Sequence, residues 1–188
     1  GGGSGNAAGT LKALNYLFRN STQSSGLIPA ETLHEIALEL GSDIPFFLNP
    51  GPTEISGRGD KLRDLPNYPK FHVVIIKPSF TISTHEAYIN CIPKREINFP
   101  RIQSFDDLNS QMNNQFESSL LVQYPTLSKL KTLLLENGAF GALVTGSGSA
   151  VFGVFNKKNK QYQAYKDLTC LQVGEIFSCE TLVNHRYF

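Results

Sequence analysis

The chain has 188 residues, 40% of them apolar and 18% charged, with a net charge of +1. That is a globular composition, long enough for one domain or parts of two, and it lacks the basic surface that nucleic acid requires. Its three cysteines, Cys91, Cys170 and Cys179, fit neither a disulfide framework nor a zinc site, and no apolar run approaches the ~20 residues that span a bilayer. No secretory signal is visible, and the first residue is Gly1, not Met.

Gly1-Gly2-Gly3-Ser4-Gly5 reads as a loop. After Asn6 a helix is expected to about Phe18, because Ala7, Leu11, Leu14 and Phe18 recur at spacings of four, three and four. Asn20–Gly26 is polar and reads as a loop. Pro29–Leu40 predicts a second amphipathic helix that buries Leu33, Ile36, Ala37 and Leu40 and is capped by Gly41. Ser42-Asp43-Ile44-Pro45 suits a short helix start, and Asn49-Pro50-Gly51-Pro52 must turn. Glu54–Asp60 is expected to be extended. The proline-bearing stretch Leu65–Lys70 is the expected boundary between structural units.

Phe71–Lys77, with Val73-Val74-Ile75-Ile76, predicts a strand closed by Pro78. Ser83-Thr84-His85-Glu86 has the form of a capping box opening a helix through Ile89. Cys91–Gln103 reads as irregular. Helical patterns resume at Phe105–Met112, Phe116–Gln123 and Thr126–Glu136, the last carrying Leu127, Leu130, Leu133 and Leu134 and ended by Asn137-Gly138. Ala142–Thr145 and Ala150–Phe155 predict strands flanking Gly146-Ser147-Gly148-Ser149. Lys157–Lys160 reads as a solvated turn, Tyr162–Leu168 as a short helix and Val173–Glu180 as a last strand. This order suits an α+β layer, with helices on one face of an antiparallel sheet.

Three segments carry candidate chemistry. Glycines opening a helix let the backbone approach an anion, and the helix dipole favours phosphate there. The same run also reads as a plain linker, and it fits neither the Walker spacing nor the dinucleotide fingerprint. Asp43, among apolar neighbours, can act on a substrate hydroxyl or cap the helix behind it. Gly146-Ser147-Gly148-Ser149 is either a turn or a second backbone nest for an anion. The histidines form no ligand spacing, Asp106-Asp107 reads as a helix start, and Glu117 reads as a brace of the fold.

In this order the segments resemble the GHMP kinase superfamily, named for galactose, homoserine, mevalonate and phosphomevalonate kinases. Gly1–Ala8 is similar to its phosphate loop Gly-Gly-Gly-Ser-Ser-Asn-Ala-Ala, with Gly5 where Ser is usual. Leu40–Phe47 resembles its catalytic segment, the acid falling at Asp43. Further matches are Gly57-Arg58-Gly59-Asp60, Lys77-Pro78 with Ser83-Thr84 and Ala87-Tyr88, Asn113–Glu117, and Thr145–Ser149 followed by Val151-Phe152-Gly153. The Asp43 and Gly57–Asp60 segments favour the branch that phosphorylates a cytidine-diphosphate derivative of methylerythritol in non-mevalonate isoprenoid synthesis. The stretch after about residue 155 matches no further motif.

The resemblance implies an α+β GHMP kinase fold. Residues 1–66 would be the remainder of a ribosomal-protein-S5-like, ATP-binding N-terminal domain, and residues 67–188 a ferredoxin-like C-terminal domain with an antiparallel sheet. It implies transfer of the ATP γ-phosphoryl group, with Mg²⁺, to a tertiary 2-hydroxyl. Asp43 would orient or deprotonate that hydroxyl. Gly1, Gly2, Gly3, Ser4, Gly5 and Asn6, with Gly146, Ser147 and Gly148, would bind ATP, and Ser4 would lie near the metal or a phosphate oxygen. Thr84 and Tyr88 would meet the substrate, Tyr88 stacking on cytosine unless it is simply a core-facing residue of its helix. The expected partner is a small molecule, with neither nucleic acid nor membrane involved. A homodimer is open, as is the choice between a bacterial cytoplasm and a plastid. In the family, strands and a catalytic lysine precede the phosphate loop, so the expectation is an N-terminally shortened chain, inactive alone. Another GHMP kinase acting on a different alcohol, and a non-catalytic nucleotide-binding relative, are the alternatives.

Overall fold

The computed structural model describes residues 1–21, 28–49, 51–65, 68–92 and 111–182. They fall into two units, Gly1–Pro69 with Leu182, and Lys70–Thr181. The predicted helix Phe105–Met112 with its Asp106-Asp107 start lies outside the described residues except for Gln111 and Met112. So do Thr22–Gly26, Pro93–Gln103 and His185.

The first unit contains α1 (Gly2–Ser21), α2 (Ala30–Leu40), α3 (Ile44–Leu48) and a hairpin of β1 (Thr53–Ser56) and β2 (Lys61–Asp64). Its small core is Ala8, Ala37 and Ile44, with Ala7, Leu11, Phe47 and Leu48 packed around it. Helix α1 begins at Gly2, not at Asn6, so the expected glycine loop is helical. Gly5 N–H donates to Gly1 O at 2.9 Å, and none of these glycines has a positive φ. Glycine in a helix costs about 1 kcal/mol relative to alanine. Just before the helix, a Cβ on Gly1 would stand 2.9 Å from the Phe47 ring.

The predicted apolar stripes are only partly used. On α1, Leu14 and Phe18 are 46% and 58% exposed, and on α2 Leu40 is 61% exposed. The buried contact among these helices is made by Ala8, Ala37 and Ile44. Lys12 Nζ donates to Phe47 O at 3.0 Å, tying the end of α3 to α1. Its ammonium sits partly out of water, and burial lowers its pKa. The run expected to be extended, Glu54–Asp60, is instead a strand and a turn. Gly57 (φ 69°) and Gly59 (φ 98°) take the left-handed backbone. Asp60 Oδ1 accepts the Arg58 N–H at 2.8 Å, and this bond holds the Asp60 carboxyl below the ordinary carboxylate range. The hairpin register is closed by the Arg63–Glu54 pair directly across the strands.

The second unit is a four-stranded antiparallel sheet of order β4-β5-β3-β6: β3 (His72–Lys77), β4 (Gly141–Val144), β5 (Val151–Phe155) and β6 (Glu175–Glu180). Its helices are α4 (Thr84–Ile89), α5 (Glu117–Gln123), α6 (Pro125–Glu136) and α7 (Lys158–Cys170). The alternation of β3 sends Val74 and Ile76 into one core with Val151 and Phe155 of β5, Leu127, Leu130 and Leu134 of α6, and Ala164 and Leu168 of α7. Gly153 permits the close approach of α6: a Cβ there would meet Leu134 at 3.0 Å and Ala139 at 3.1 Å. The expected solvated turn at Lys157–Lys160 is the start of α7, where Asn159 Oδ1 accepts the Lys160 N–H at 2.9 Å. Among the described residues no helix is long and apolar enough to cross a membrane.

Candidate active site

In the first unit the glycine run presents a helix start. The first four N–H groups of a helix have no partner within it. Gly1 and Gly5 face the Phe47 ring, whereas a Cβ on Gly2 or Gly3 would meet no atom within 4 Å. The two middle glycines therefore leave open space beside free donors, which suits a phosphate. At Gly5 the ring stands at 3.5 Å, an ordinary contact distance, so packing does not demand glycine where the family resemblance has serine.

Asp43 stands at the N-cap position of α3, but its side chain accepts no capping hydrogen bond. Its own backbone is helical (φ −87°, ψ −14°), unlike the extended N-cap conformation that swings a carboxylate over the first turn. The exposed carboxylate is thus left for another partner. Pro45 in the first turn and the buried Ile44 fix the helix behind it. The Gly57–Asp60 turn backs this point: a Cβ on Gly59 would lie 3.1 Å from Ser42 O and 3.6 Å from Asp43 Oδ1. Two matched segments, far apart in sequence, therefore abut through a missing side chain.

In the second unit Ser83 Oγ accepts the Glu86 N–H at 3.4 Å, which sets the start of α4. The Thr84 hydroxyl lies 3.1 Å from that of Ser147, so this unit brings a predicted substrate residue and a predicted ATP residue into contact. Tyr88 is 65% exposed, not core-facing. Its ring meets Phe116 edge-on at 4.9 Å and 79°, and Ala87 is the buried residue of α4.

The Gly146–Ser149 turn is held from below. Gly146 (φ 54°) and Gly148 (φ 85°) take positive φ, and Gly148 N–H donates to Thr145 O at 3.0 Å. A Cβ on Gly148 would strike Ile82 at 2.9 Å, whereas one on Gly146 would meet nothing within 4 Å. The buried Ser149 hydroxyl donates to Phe80 O at 2.6 Å. Asn114 Nδ2 donates to Val144 O at 2.7 Å and to Gly146 O at 2.8 Å. Glu117 accepts the Val144 N–H at 2.6 Å and pairs with Lys131 at 2.6 Å. Glu117 is the brace the sequence suggested. Asn114 stands in a segment the resemblance matched, but its bonds were not foreseen, because its partners lie about thirty positions away and no local spacing announces them. Among the described residues no group of three or more His, Cys, Asp or Glu could hold a metal ion.

A family model described as GHMP kinases C terminal matches residues 96–172. The chain is 41% identical over 169 residues to 4-diphosphocytidyl-2-C-methyl-D-erythritol kinase of Syntrophus aciditrophicus, covering 87% of this chain and 58% of that protein. It is 38% identical over 179 residues to the same-named kinase of Thermodesulfovibrio yellowstonii, covering 88% of this chain and 61% of that one. A crystal structure of 4-(cytidine 5'-diphospho)-2C-methyl-D-erythritol kinase superposes with a TM-score of 0.76 at 25% identity, over 96% of this chain and 65% of that chain. The chain thus spans 58% and 61% of the length of these two curated relatives.

Proposed function

The chain belongs to the GHMP kinases, and on that premise we propose that its protein transfers the γ-phosphoryl group of ATP to the 2-hydroxyl of 4-diphosphocytidyl-2-C-methyl-D-erythritol. One observation carries the reading: the carboxylate of Asp43, at the start of α3, is excused from capping that helix. In the proposed step Asp43 orients the substrate hydroxyl and takes its proton. The freed oxygen bonds to the γ-phosphorus as the bond to the β,γ-bridging oxygen breaks, and ADP leaves. Such transfers depend on alignment and charge stabilisation more than on covalent help.

Gly1, Gly2, Gly3 and Ser4, with Gly5 and Asn6 behind them, are assigned to ATP phosphates. So are Gly146, Ser147 and Gly148. The open space at Gly2, Gly3 and Gly146 supports both assignments. Residues 1–66 are read as part of the ATP-binding domain and 67–188 as the C-terminal domain. Mg²⁺ would accompany the nucleotide, its charge offsetting that of the triphosphate. Thr84 and Tyr88 are assigned to the substrate, and the exposure of the Tyr88 ring suits stacking on a pyrimidine.

The test is Asp43→Asn in the full-length protein, with the cytidyl substrate and a panel of other small alcohols. A general base contributes about 10²–10⁴-fold, so kcat should fall by that much while ATP affinity holds. Near-normal turnover by the variant would overturn the role of Asp43, and preference for another alcohol would overturn the substrate.

A further inference from the structure

Val144 is the last residue of β4, which lies at the edge of its sheet. Its neighbour Thr145 donates to Ala150 O across the hairpin at 2.9 Å. In an antiparallel pair the backbone groups alternate sides, so the N–H and C=O of Val144 point outward, where no strand follows among the described residues. Two side chains take those places. Glu117 Oε1 accepts the N–H at 2.6 Å, and Asn114 Nδ2 donates to the C=O at 2.7 Å. The second proton of the same amide goes to Gly146 O at 2.8 Å, already inside the glycine turn.

Both side chains are themselves fixed. Asn114 Oδ1 accepts the Phe116 N–H at 3.1 Å. Glu117 gives its other oxygen to Lys131 of α6, with side chains only 14% and 19% exposed. In the turn beyond, the N–H groups of Gly146 and Ser147 carry no hydrogen bond among the described residues. A carbonyl turned aside at Gly146 directs the following N–H the opposite way, since C=O and N–H of one peptide are antiparallel. Asn114, by holding Gly146 O, therefore sets the direction of the Ser147 N–H.

We propose that Asn114 and Glu117 are positioning residues for nucleotide binding, substituting for a fifth strand at Val144 and thereby aiming the free N–H groups of the Gly146–Gly148 turn at a phosphate. The inference rests on the reading of that turn as an ATP site. It predicts a selective effect. In the full-length protein Asn114→Ala should raise KM for ATP about 10-fold or more, in the range for residues that orient a ligand's direct contacts. KM for the alcohol should change less than about twofold. Glu117→Ala should do the same.

Glu117→Gln keeps an oxygen for the Val144 N–H but loses the charge facing Lys131. It should lower Tm while leaving KM for ATP near the wild-type value. Leu130→Ala, a core variant remote from this network, should lower Tm without a change in KM for ATP. If Asn114→Ala does not fold, the Glu117 pair alone carries the test. Asn114→Ala and Glu117→Ala variants that lower Tm and leave KM for ATP unchanged overturn the proposal, as does Glu117→Gln behaving like Glu117→Ala. Calorimetric titration with ATP separates this from the proposed function. Wild-type protein that binds ATP but transfers no phosphoryl group overturns that function, and the same affinity ratios in the variants still decide this inference. Wild-type protein that binds no ATP overturns both.

Discussion

Two glycine-rich segments of nearly the same composition do opposite things in this molecule. Gly2–Gly5 is helical, without positive φ, and the glycines of the run lie beside Phe47 or beside empty space. Gly146–Ser149 is a turn whose two glycines need positive φ, one of them pressed on Ile82. In the first segment only Gly1 is held to glycine by a neighbour, the Phe47 ring. In the second, glycine is required by the backbone itself. Free N–H donors result in both cases, from the unfilled first turn of a helix and from a turn that folds away from its own ladder.

Alanine at single positions breaks this comparison in three ways. The largest effect is expected at Gly148, where a left-handed backbone costs about 1–2 kcal/mol and the clash with Ile82 about 1–3 kcal/mol more. Gly148→Ala should lower both Tm and ATP affinity, read by thermal denaturation and titration. Gly153 is glycine for a third reason, the approach of Leu134 and Ala139. Gly153→Ala should cost about 1–3 kcal/mol by overpacking and leave the ATP affinity of the folded protein unchanged. The smallest change is at Gly3, which has helical backbone and open space. Gly3→Ala should gain up to about 1 kcal/mol of stability from helix propensity while weakening ATP binding, because the new methyl group occupies the space assigned to phosphate. A variant that is both more stable and equally tight would break the assignment of the first segment.

Much of the second unit was legible in the sequence, because local chemistry decides it. The Val73–Ile76 run, the Ser83–Glu86 box and the leucine spacing of Pro125–Glu136 each specify an element without distant help, and each appears in place. The first unit was less legible. Gly1 and Gly5 pack on Phe47, and the buried contact among the helices comes down to Ala8, Ala37 and Ile44. Neither leaves a periodic trace. The Gly57–Asp60 turn was hidden in a stretch expected to be extended, although two glycines and an aspartate are turn residues. At the candidate site, the residue types at Asp43 and in the two glycine segments drew attention. The role of Asn114 emerged only from bonds across the fold.

The closure of Val144 also bears on how molecules of this protein meet one another. An edge strand with bare N–H and C=O groups is a template on which a second chain can add a strand. At the end of β4 both groups are already taken by Asn114 and Glu117. The side chains that aim the turn are therefore the ones that keep this edge from recruiting another chain. Loosening them exposes a docking point for self-association at the same moment that it disturbs the turn.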